Sequence, residues 1–133
     1  MLYTTVNTLN EHYEKEGRNT TLTGFSIYNG SAYAGGGVYI RLSAKPTFNH
    51  VVWIHNEAQG GGGGVYIKDS DTNPTFNNCT FQENKARNSQ YGGGAVCIQS
   101  SAQPTFNHVI WIRNEAQGRR GGCLLYTSPS PRD

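Results

Sequence analysis

The chain has 133 residues, a formal charge of +2, 35% hydrophobic and 15% charged residues, and seventeen glycines. That length admits at most one domain, and so small a positive charge argues against a nucleic-acid or polybasic membrane surface. No apolar run approaches the roughly 18–20 residues that span a bilayer.

From the start, residues 1–21 read as a polar segment or partial coil. MLYTTVNTLNEHYEKEG has no basic stretch followed by an apolar one, so it shows no signal peptide. NEHYEKEG is the best helix candidate in the chain, and it reads better as a loop or short turn. Residues 22–122 then repeat. LTGFSIYNGSA followed by GGGVYI, ending at Ile40, is a degenerate first copy. PTFNHVVWIHNEAQG at 46–60 and PTFNHVIWIRNEAQG at 104–118 differ at only two positions. PTFNNCTFQENKARN, from Pro74, is a diverged copy between them. Phe48, Phe76 and Phe106 align, as do Val51, Cys79 and Val109, then Trp53, Phe81 and Trp111, then Asn56, Asn84 and Asn114. Near-identity of the outer copies suggests duplication of a two-repeat unit.

Each repeat has the pattern of short strands. Cys79 and Phe81 alternate with Thr80 and Gln82 at period two. GGGVYI and GGAVCI are β-branched runs launched from glycines. Pro46, Pro74 and Pro104 precede strands, where a missing N–H does least harm. One coil per repeat cannot bury its own apolar face, so stacking must supply the core. The expectation is an all-β parallel β-solenoid of about four coils. The glycine run at 60–64 lacks the helix and Gly-Lys-Ser/Thr ending of a phosphate loop, and reads as a tight corner. Asn56, Asn84 and Asn114 read as a stacked ladder inside another corner.

Phe81 and Asn84 match an FxxN motif, and Gly93, Gly94, Ala95 and Val96 match GGA(I/L/V). These resemble the repeats of polymorphic outer-membrane proteins. Across residues 22–122 the pattern PTFxNCxFxxNxA then GGGxY is similar to right-handed parallel β-helix, pectin-lyase-like proteins. The resemblance implies a right-handed coil and an extracellular or cell-surface location. It also implies a structural or adhesive role, with a protein or carbohydrate surface ligand and further coils of its own chain as partners. The alternatives are part of a polysaccharide lyase or hydrolase, or a ligand-free spacer. A lyase-like site needs clustered carboxylates and a basic residue on one outer face; Arg41, Lys68 and Asp69 are the nearest approach.

The other candidates read as structure, and no catalytic, cofactor or metal site is expected. Trp53 and Trp111 share a position with Phe81, so they point inward rather than forming a sugar platform. Val52, Ile54, Ile110 and Ile112 should then face outward. His50 and His108 lie two coils apart, about 10 Å at the usual strand spacing, too far to share one metal ion. Asp69, Asp71 and Asn73 imitate a calcium loop but lack its glycine and glutamate. Cys79 reads as a small buried hydrophobe, and no spacing pairs the cysteines. Asn19, Asn29 and Asn78 begin N-x-[ST] sequons. Residues 123–133, CLLYTSPSPRD, break the repeat, and their eleven codons can spell a string resembling a widely used sequencing adaptor. They are expected to be a non-native tail whose CLLY imitates a strand beside Val96, Cys97 and Ile98.

Overall fold

The computed structural model describes residues 20–87 and 92–117, with the backbone of 124–126. The expected helix candidate and most of the tail lie outside the described residues. The first rung holds β1 (Thr21–Thr23), β2 (Ser26–Tyr28), β3 (Ser31–Ala34) and β4 (Val38–Ile40). The second holds β5 (Thr47–Asn49), β6 (Val52–Ile54), β7 (Glu57–Gly61) and β8 (Val65–Lys68). The third holds β9 (Thr75–Asn77), β10 (Thr80–Gln82), β11 (Lys85–Ala86) and β12 (Val96–Gln99). The fourth holds β13 (Thr105–Asn107), β14 (Ile110–Ile112), β15 (Glu115–Ala116) and β16 (Leu124–Tyr126).

Strands of equal rank stack in four parallel sheets: β1-β5-β9-β13, β2-β6-β10-β14, β3-β7-β11-β15 and β4-β8-β12-β16. The chain therefore makes three full turns between its first and fourth rungs, a parallel β-solenoid. The step from rung to rung is 26, 28 and then 30 residues along the first sheet. β16 pairs Leu124, Leu125 and Tyr126 with Val96, Cys97 and Ile98, as expected of an apolar run at that place.

Exact register converts sequence repetition into a core. Phe48, Phe76 and Phe106 stack nearly parallel, with centroids 5.1 and 5.0 Å apart. Trp53, Phe81 and Trp111 form a second stack, at 4.6 and 4.9 Å. The two stacks meet edge to face, as aromatic quadrupoles prefer, with Trp53 set across Phe48 and Phe76. Val51, Trp53, Cys79 and Phe81 are buried as expected. Val109 and Trp111 are only half-buried. They lie on the fourth rung, and no described strand stacks beyond β14.

The glycine run is a corner. Gly62 takes φ 65, and a Cβ on Gly63 would meet the Gly94 carbonyl oxygen at 2.3 Å. The first residue needs the left-handed region; the second lets neighbouring rungs approach. Pro46 and Pro74 still accept across rungs, from the Thr75 and Thr105 N–H groups.

Candidate functional site

The corner joining the second and third sheets gathers the chemistry. Each rung turns there through one left-handed residue: Asn29, His55, Glu83 and Arg113, with φ 57, 56, 54 and 47. The next residue points inward and builds the expected ladder. Asn56 Nδ2 donates to the Ile27 carbonyl and to Asn84 Oδ1. Asn84 Nδ2 donates to the Trp53 carbonyl and to Asn114 Oδ1. The ladder starts at Gly30, whose N–H donates to Asn56 Oδ1. Buried amides thus satisfy the peptide groups that the turn frees.

The ladder holds the neighbouring outward residues in file. His55 Nε2 lies 3.1 Å from Glu83 Oε1, and Arg113 Nε donates to Glu83 Oε2 at 3.1 Å. A second file pairs Glu57, Lys85 and Glu115 in register. Lys85 Nζ lies 3.8 Å from Glu115, and Arg87 Nε meets Glu57. His55, Glu83, Asn84, Lys85, Arg113 and Glu115 wall a shallow groove of about 330 Å³. Carboxylates alternate with basic side chains along each file, and each carboxylate faces a cation or an imidazole. The groove is thus polar and nearly neutral, suited to hydrogen-bonding a ligand. Sequence reasoning missed it. The signal was the residue on either side of the repeated asparagine: His-Asn-Glu, Glu-Asn-Lys, Arg-Asn-Glu.

Beside the groove, the second sheet turns its expected apolar residues outward. Val52, Ile54 and Ile112 are half-buried, and Ile110 is 56% exposed. Thr80 and Gln82 separate the two pairs.

The remaining candidates have structural places. His50, Asn78 and His108 occupy one left-handed turn position, φ 55, 54 and 56; His and Asn are among the residues enriched there. The Asp69–Asn73 loop braces neighbouring turns. Asp69 Oδ2 accepts from the Leu42 N–H, the Asp71 carbonyl from Lys45, and Asn73 Oδ1 from the Gln103 N–H. Of the lyase-like set, Arg41 lies over the Tyr39 ring at 5.6 Å, and Lys68 stands in register with Gln99 on the fourth sheet. Among the described residues, no group of three His, Cys, Asp or Glu could hold a metal ion. Cys79 Sγ lies 3.4 Å from the Phe48 carbonyl, and burial holds its thiol above the usual range despite opposing backbone hydrogen bonds. Asn29 and Asn78 are exposed; Asn19 lies outside the described residues.

Among the described residues no helix is long and apolar enough to cross a membrane. No curated protein matches this chain, and no solved structure matches it. The family model described as a right-handed beta helix region matches residues 3–131. In-register parallel rungs, an interior asparagine ladder and a match over nearly the whole length agree: the chain belongs to the right-handed β-helix family.

Proposed function

We propose that this chain is a structural and adhesive β-helix segment of a secreted or cell-surface protein. Its ligand is a protein or carbohydrate surface. The observation that carries this reading is the outer face at the second and third sheets. There an apolar pair on each of two rungs lies beside two files in which carboxylates alternate with basic side chains. Partly exposed aliphatic groups next to directional polar groups give both area and orientation to a partner. Many parallel hydrogen bonds hold that face rigid, so little ordering opposes binding.

The test is binding of the full chain, immobilised, to a glycan array and to whole cells. The Ile110→Lys variant should bind several-fold more weakly while keeping its far-ultraviolet spectrum. Equal binding by both proteins, or none by the wild type, counts against the adhesive reading. A lyase or hydrolase would use the groove, with Glu83 between His55 and Arg113. It would release unsaturated or reducing ends from polysaccharides, and Glu83→Gln would abolish that release. A ligand-free spacer would show neither binding nor product.

A further inference from the structure

The outer face of the first sheet differs from the charged corner. Strands β5, β9 and β13 each read Thr-Phe-Asn, and β1 reads Thr-Leu-Thr. The middle residue of each points to the core, so its two neighbours point to solvent. Register puts Thr21, Thr47, Thr75 and Thr105 in one file. Asn49, Asn77 and Asn107 make a second file, headed by Thr23. Neither file contains a charge.

Geometry makes this face a small two-dimensional lattice. Rungs repeat at about 4.8 Å, and the two files stand about 6.7 Å apart, twice the rise per residue. The lattice is also stiff. Asn77 Nδ2 donates to Asn49 Oδ1 at 2.9 Å, and Asn107 Nδ2 donates to Asn77 Oδ1 at 2.7 Å. Those bonds orient each amide and leave Asn77 a second N–H and a second lone pair. Among the described residues, the threonine hydroxyls of the first file have no protein partner. Each hydroxyl is both donor and acceptor, and the β-branch restricts its rotamer.

The chemistry of this face selects the occupant. Absence of charge disfavours an ionic partner and suits a neutral one. A single small molecule would touch only one or two points of the lattice. A periodic, neutral, hydrogen-bonding solid would meet all of them at once, and many weak contacts then act together. Water oxygens on the faces of ice repeat at spacings close to both dimensions. Threonine methyls between the polar groups confine water without competing for its hydrogen bonds. We infer that the Thr/Asn face of the first sheet binds the surface of ice, through water ordered along the two files. This goes beyond the adhesive reading and uses a different face.

The experiment is ice-affinity partitioning of the purified full chain on a cold finger, with crystal habit followed by microscopy. The wild type should be enriched in ice over a non-binding protein of similar size, and should produce faceted crystals. Thr75→Tyr, at the centre of the lattice, should reduce enrichment by about an order of magnitude. Thr47→Val, which keeps the shape and loses a hydroxyl, should reduce it less. Gln59→Tyr, an equally bulky change on the exposed third sheet, should leave it unchanged. Circular dichroism checks that each variant is folded; if Thr75→Tyr is not, Thr105→Tyr on the fourth rung takes its place. Exclusion of the folded wild type from ice, with round crystals, overturns the proposal. So does equal loss in the Gln59 and Thr75 variants. Co-sedimentation with microcrystalline cellulose or chitin, without entry into ice, also overturns it and assigns the face to a polysaccharide solid.

Discussion

Asn84 Oδ1 accepts from both the N–H and Nδ2 of Asn56, while its Nδ2 donates to the Trp53 carbonyl and to Asn114 Oδ1. Asn84→Ala would leave several buried groups without partners, so it should cost about 3–5 kcal/mol in urea unfolding. Asn77→Ala, in the solvent-facing file, should cost below about 1 kcal/mol, because water replaces the lost partner. Trp53 shows the opposite situation. Its Nε1–H is buried with no acceptor among the described residues, in a file where Phe81 fills the next place. Trp53→Phe loses ring area but also removes an unsatisfied donor worth about 1–3 kcal/mol. The midpoint of thermal unfolding should therefore shift by only a few degrees. Cys79 sits between valines, so Cys79→Val should change stability by less than about 1.5 kcal/mol at neutral pH. The folded thiol titrates above its ordinary value, so the unfolded chain ionises first. The stability from Cys79 is then complete below about pH 8.5–9 and is lost as pH rises through the folded value. Unfolding midpoints across pH 7–11 should show an alkaline decline that is smaller in Cys79→Val.

Strands and corners were legible in the sequence wherever a residue acts within its own rung. Phe81 between Thr80 and Gln82 shows which way β10 faces, and Pro74 shows where β9 begins. The asparagine ladder was legible as well, because its members recur at one place in each repeat. The outward files were not. Glu83 meets His55 and Arg113 across gaps of 28 and 30 residues, so those contacts depend on register between rungs. The half-burial of Val109 and Trp111 was illegible for the same reason: burial in a solenoid belongs to a pair of rungs, not to a strand. Glycines make the point at the corners. At Gly24, with φ 75, a Cβ would meet nothing within 4 Å, and Gly24→Ala should cost about 1 kcal/mol from backbone strain alone. At Gly63 the Cβ would press on the Gly94 carbonyl and the Lys85 backbone. Gly63→Ala should cost about 3 kcal/mol, because two rungs must separate. Comparative urea melts of the two variants test that ranking.

On the scale of the whole molecule, covalent bonds run around the coil while backbone and asparagine hydrogen bonds run along its axis. These two directions answer force differently. Tension applied across one rung is carried by the peptide chain. Tension applied end to end loads only the hydrogen bonds and stacked rings between rungs. A molecule held by residues on its first and fourth rungs in an optical trap should therefore lengthen in steps. Each peeled rung of about 28 residues should release about 90–100 Å of chain, at a modest, repeated force. A single all-or-none rupture of the whole stack would contradict this picture. The register that makes the core thus also divides the molecule into mechanical units that give way one at a time, a tether that lengthens under load before it breaks.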